Sequence, residues 1–185
     1  MLSSWIEELS SNLGIFYYIL VYGIGIIAMI LSISAVQFKK RATIILCNCF
    51  GQISWVLYFL LQADLVSAIA CGLSAIMLAI FAKQSEWKWV RSPICIVLFI
   101  VIISGFSLSS FAVWSDVFPL MAGVFLVIAN SRSSEKRLRQ ISLLWVISWL
   151  LNSTFKVYPV AFVNDLFCTI STIVALIRYR EKSNK

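Results

Sequence analysis

Long apolar stretches with almost no charge recur along the chain, at residues 13–36, 42–62, 65–82, 93–113, 117–131, 140–155 and 159–177. At about 1.5 Å of rise per residue, most would as helices cross a hydrocarbon core of about 30 Å. The fifth is short. Its 15 residues between Asp116 and Arg132 give only about 22 Å, so Trp114, Ser115 or Ser131 must complete it, or the bilayer must thin.

The polar positions between the stretches alternate in kind. Fourteen of the 15 Lys and Arg residues fall in four clusters: Lys39, Lys40 and Arg41; Lys83, Lys88 and Arg91; Arg132, Lys136, Arg137 and Arg139; Arg178, Arg180, Lys182 and Lys185. Only Lys156 stands apart. Positive charge next to a span resists translocation, so all four clusters are expected on the cytoplasmic side. Seven spans with the N-terminus outside satisfy this, and they do so only if the short fifth stretch crosses. The outer segments are then the first dozen residues with Glu7 and Glu8, a tight turn at Asp64, the turn around Asp116, and a turn from Lys156 to Pro159. Trp5, Trp87, Trp89, Trp114 and Tyr158 lie near the boundaries, where amphipathic rings favour the headgroup zone.

Composition agrees. The 185 residues are 61% hydrophobic and 12% charged, with mean hydropathy +0.95, against about 25% charged in soluble domains. A net charge of +7 would point to nucleic acid in a soluble protein, but these cations flank apolar runs without an aromatic platform, which argues against nucleic-acid binding. Against anionic headgroups each contributes about 1 kcal/mol. There is no His, and Cys47, Cys49, Cys71, Cys95 and Cys168 all sit inside apolar runs as small buried thiols. Neither a Cys/His metal site nor a His-based catalytic pair can form, and no cofactor is expected. Glu7 and Glu8 replace the cationic region of a cleaved signal, so the first span is expected to remain.

A shift of 94 residues superposes Ala35 on Ala129, Ser54 on Ser148, Trp55 on Trp149 and Ile76 on Ile170 without a gap. Each half reads as span, basic loop, span, short outer turn, span, basic end. With the fourth span as connector, the two units share one orientation, related by an axis along the membrane normal. The expected fold is an all-α polytopic membrane protein of seven transmembrane helices in one membrane domain. Its parts are a first three-helix unit at 13–83, a linker helix at 92–114, a second unit at 115–178 and a cytoplasmic tail at 179–185.

Polar side chains within spans turn toward the bundle interior or a cavity. In the sixth span Trp145, Ser148, Trp149 and Asn152 recur at i, i+3, i+4 and i+7. In the second, Asn48, Gly51, Gln52 and Trp55 repeat that spacing. Two facing stripes of this kind could line a pocket for a small polar solute. Alternatively the amides are interhelical glue, worth about 0.6 kcal/mol each, and the indoles fill volume. Asn164 and Asp165 open the seventh span, and Asp165 is the one acidic residue that enters a span. It could take a proton, bind a cationic solute, meet water or pair with Lys156. Pro119 aligns with Gly25, giving two candidate hinges, with close packing as the alternative; Gly72, Gly105 and Gly123 are assigned to packing.

The segments FKKR, WSDVFPLMAGVFLVIANS, the pair Trp149 and Asn152, and a last span ending IRYR resemble the YgjV family of bacterial inner-membrane proteins over nearly the whole chain. The resemblance implies a multi-pass protein of the inner membrane, with a periplasmic N-terminus and cytoplasmic C-terminus on the charge pattern above. More distantly, the three-one-three layout is similar to the SWEET sugar facilitators and PnuC vitamin transporters. By position that likeness implicates Asn164, Trp149 and Asn152 in solute contact and makes Pro119 resemble a hinge proline. The chain departs from the SWEET pattern in lacking a Pro-Gln dipeptide and in having Ala70 where the second half has Asn164.

Two functions compete. A facilitator or carrier would alternate access to a central pocket, with Trp149 and Trp55 stacking on the solute, Asn152 and Asn164 hydrogen-bonding it, and Asp165 tuning charge or coupling to protons. A non-transporting membrane protein would bind or organise a protein or lipid partner, with no continuous pocket and with its polar side chains satisfied by one another. An enzyme is not expected: no His, no acidic pair within a span and no nucleotide loop is present. The expected partners are the bilayer and a small polar solute, and a homo-oligomer is compatible.

Overall fold

A computed structural model describes residues 2–35, 41–83, 87–131 and 135–183. Lys39, Lys40, Arg132 and Lys185 lie outside the described residues, as do the side chains of the other cluster cations except Lys83. The described residues are all-helical, with eight α-helices: α1 Leu2–Leu13, α2 Ile15–Ala35, α3 Arg41–Leu61, α4 Leu65–Ala82, α5 Pro93–Ser109, α6 Val117–Ser131, α7 Glu135–Phe155 and α8 Pro159–Ser183. Seven of them coincide with the seven apolar stretches. Among the described residues, only the Ile15–Ser34 part of α2 combines full membrane length with high hydropathy. The apolar parts described for the others are shorter, such as Leu65–Phe81 and Pro93–Ser109.

The sequence reading did not anticipate α1. Leu2, Trp5, Ile6, Leu9 and Leu13 recur at helical spacing between polar residues, and this amphipathic helix packs Ile6 and Leu9 against the main core while Glu7 and Glu8 stay exposed. Gly14, at φ 52°, makes the break before α2. Two boundaries also move. The linker helix α5 stops at Ser109, and the expected tail remains helical to Ser183.

The turns α3–α4 and α7–α8 are built alike. Among the described residues, Ala63 and Val157, 94 apart, are the two non-glycine residues in the left-handed region, at φ 58° and 56°. Asp64 N–H donates to the Phe59 carbonyl and Tyr158 N–H to that of Ser153, both at 2.9 Å; Gln62 and Lys156 repeat a second bond, to Tyr58 and Asn152. The packing follows the same shift. Helix α3 packs on α2 and α4 as α7 does on α6 and α8, and the α2–α8 contact maps onto α6–α4. Helix α5 lies outside this pattern, against α4 and α6.

One core cluster joins Tyr17, Val21, Trp55, Tyr58, Phe59, Cys71, Trp149 and Ala161; a second joins Met77, Phe81, Ile103 and Val127 between α4, α5 and α6. The outward faces are apolar, with Phe16, Ile19, Ile94, Leu98 and Ile170 all more than half exposed. Gly25 is a packing position: a Cβ there would stand 3.0 Å from both the Tyr58 ring and Val160. A Cβ at Gly123 would stand closer still, 2.7 Å from Ile103 Cγ2. Gly105 has open space beside it and Gly72 only ordinary contact, so the packing role assigned to these two does not hold. Pro119 is buried in the first turn of α6, where its missing N–H would have no intrahelical partner, so it loosens no mid-helix turn.

Candidate functional site

A cavity of about 550 Å³ lies between the two halves, within the range of about 300–1,000 Å³ usual for small-molecule sites. Its wall includes six pairs of residues related by the 94-residue shift: Ser32 and Leu126, Asn48 and Ser142, Gln52 and Val146, Trp55 and Trp149, Cys71 and Asp165, Leu78 and Thr172. The cavity therefore straddles the line about which the halves correspond. Of the expected site residues, Asn48, Gln52, Trp55, Trp145, Trp149, Asn164 and Asp165 all reach it.

Ser148 and Asn152 do not. The Ser148 hydroxyl donates to the Leu144 carbonyl of its own helix at 2.8 Å. Asn152 is fully buried, and its amide donates to Ser67 Oγ at 3.1 Å. Ser67 in turn donates to Asp64 Oδ2 at 2.6 Å. Because that hydroxyl proton is committed to a carboxylate, Ser67 can only accept from Asn152, which fixes the amide's orientation.

The indoles do not face each other across open space. Phe59, which the sequence reading missed, lies between them, 5.9 Å from Trp55 and 5.7 Å from Trp149, in near-parallel stacks. Its position four residues after Trp55 was the available signal. Trp55 Nε1 is committed to Ser32 Oγ at 3.2 Å. Asp165 Oδ2 accepts from Ser153 Oγ at 2.9 Å, and Oδ1 accepts from Asn164 Nδ2 at 3.2 Å. Asn164 is buried, and its own Oδ1 has no donor among the described residues.

The expected alternative of a Lys156–Asp165 pair is overturned. Lys156 lies instead between Asp64, at 2.8 Å, and Asp116, at 2.6 Å, with all three side chains nearly buried. Asp64 also accepts from the Tyr158 hydroxyl at 3.2 Å. Tyr158 is thus a buried partner of this cluster and not a belt residue, whereas Trp5, Trp87, Trp89 and Trp114 are exposed as a belt requires. Burial works against the Asp116 charge, but bonds from Lys156 and from the Val113 and Ala112 N–H groups outweigh it and hold the carboxyl below its usual range. The cluster brings the three turns α3–α4, α5–α6 and α7–α8 to one end of the bundle.

Helices packed around a polar interior, with large apolar side chains facing outward, define an integral membrane protein. The chain belongs to the Imp-YgjV family of bacterial inner membrane proteins, whose model matches residues 19–183. No curated protein and no solved structure matches significantly.

Proposed function

We propose that this inner-membrane protein is a carrier for a small polar solute. Seven helices, α2 to α8, span the membrane as two parallel units, α2–α4 and α6–α8, joined by α5; the N-terminus is periplasmic and the C-terminus cytoplasmic. The observation that carries this reading is the cavity lined by corresponding positions of both halves. A site on such an axis is exposed to one side and then the other when two like units rock against each other. The site binds and passes its solute, with no covalent step.

The outer end is closed at two levels. The Trp55, Phe59 and Trp149 stack forms one layer. The other is ionic: Asp64 and Ser67 of the first unit hold Lys156, Tyr158 and Asn152 of the second. The wall runs from Phe59 and Asn164 near this end toward Ser142 and Thr172 near the opposite ends of α7 and α8. The described conformation is therefore outward-closed, and outer opening requires Lys156 and Tyr158 to release Asp64. Asn152 is a closure residue in this scheme, and Gln52, Asn48, Trp145, Asn164 and Asp165 contact the solute.

Uptake from a metabolite mixture into proteoliposomes, read by mass spectrometry, tests the reading. A solute that accumulates with the native protein and at least tenfold less with Trp149→Ala or Asn164→Ala is expected. Accumulation equal to that in empty liposomes, for every component, would contradict it.

A further inference from the structure

We infer that the solute of this cavity is a small protonated amine, a deduction that rests on the carrier reading for its transport but not for its binding chemistry. Among the described residues, Asp165 is the one charged side chain on the cavity wall. Among the described residues no cation approaches it: the two ion pairs both belong to Lys156, at the outer turns. Its hydrogen bonds come from neutral donors, Ser153 and Asn164. A half-buried carboxylate on a largely apolar cavity wall lacks a positive partner, and a cationic solute supplies one.

The neighbouring unsatisfied group asks for the same chemistry. Asn164 must turn its Nδ2 toward the carboxylate, because its amide oxygen there would set two acceptors against each other. Its Oδ1 is thereby left as a buried acceptor without a donor. An ammonium has N–H donors and no acceptor, so it serves both Asp165 and Asn164. A polyol brings acceptors as well as donors, and an anion meets an uncompensated carboxylate. Trp55, Trp145 and Trp149 complete the wall, and indole is the aromatic ring most attractive to cations.

The asymmetry of the repeat isolates this feature. Asp165 corresponds to Cys71 and Asn164 to Ala70, so the two halves share the indoles but only one carries the carboxylate and its amide. One charge on the axis fits one cationic centre. The outer end is also acidic: Asp64 and Asp116 share Lys156, the one cation described there, and Glu7 and Glu8 stand exposed in α1, a balance that concentrates cations at the entrance.

Three probes of one skeleton and different charge test the inference: phenethylammonium, phenethyl alcohol and phenylacetate, with sorbitol as a neutral polyol. Thermal unfolding of the purified full chain should shift upward, saturably, with phenethylammonium only, because a ligand bound by the native state alone raises its melting temperature. Asp165→Asn should raise the half-saturating concentration at least tenfold. As that variant can lose stability, tryptophan fluorescence of the unmutated protein should respond to the ammonium and not to the alcohol or the anion. Equal responses to ammonium and alcohol, no response to the ammonium, or an Asp165→Asn protein with unchanged affinity would overturn the inference. A saturable shift with sorbitol alone, lost in Trp149→Ala, would overturn it while leaving the carrier reading standing. Ammonium binding without ammonium uptake in proteoliposomes would leave the site and remove the carrier.

Discussion

Lys156 is the lone cation outside the basic clusters, and its surroundings explain its place. It neutralises two carboxylates from two other turns, all nearly out of water. Removing one partner of such a group leaves charge buried without compensation, at a cost of about 3–5 kcal/mol. Lys156→Met should therefore lower the melting temperature sharply, and adding Asp64→Asn and Asp116→Asn should restore much of it; a single variant as stable as the native protein would refute the buried cluster. The pH response has a fixed sign. The Asp116 carboxyl is held below the 3.8 of an unfolded Asp, so its contribution is full above that value and is lost as pH falls through the lower folded value. Acid unfolding followed by circular dichroism should accordingly be shallower below about pH 4 in Asp116→Asn than in the native chain. The sequence singled out Lys156 but offered Asp165 as partner, because separation along one hairpin was visible and the approach of three distant turns was not.

Helices were legible where lipid makes the pattern simple. A segment that crosses a bilayer must satisfy its backbone internally and expose apolar side chains, so each charge-free run coincides with a helix, with ends that differ by up to six residues in α5, α7 and α8. The amphipathic α1 escaped notice because it contains no such run. Contacts between helices were less legible, since a glycine's role depends on what stands opposite. Gly123→Ala places a methyl 2.7 Å from Ile103 Cγ2, a branch on Cβ that cannot simply swing aside. We expect it to cost about 1–3 kcal/mol, with Ile103→Leu recovering part, both read as shifts in thermal unfolding. The α7–α8 turn offers the opposite effect. Val157 holds a left-handed conformation while 80% exposed, so Val157→Gly sheds backbone strain of about 1–2 kcal/mol and loses almost no packing. A melting temperature that falls on this substitution would contradict the strain.

Across the whole molecule, the correspondence at 94 residues is what joins fold to site. The sequence showed it through Trp55 and Trp149 and through the order of loops; the matched turns and the paired cavity wall give it physical content. Stripes at helical spacing located Asn48, Gln52, Trp55, Trp145 and Trp149 on the cavity wall, because polar side chains in a span turn toward the interior. They misplaced Asn152 and missed Phe59 because both are decided by the partner unit: Ser67 captures the first, and the opposing indole of Trp149 stacks on the second. Rocking of the two proposed units about the cavity is the central claim, and the turns that hold the Lys156 cluster are where it shows. Spin labels at Leu65 in the first unit and Val117 in the second, both exposed, report in nanodiscs, by pulsed electron resonance, the separation of the ends that hold the Lys156 cluster. The native chain should give a dominant short distance and Lys156→Met a second, longer one. A single distance, identical in both proteins, would contradict alternating access.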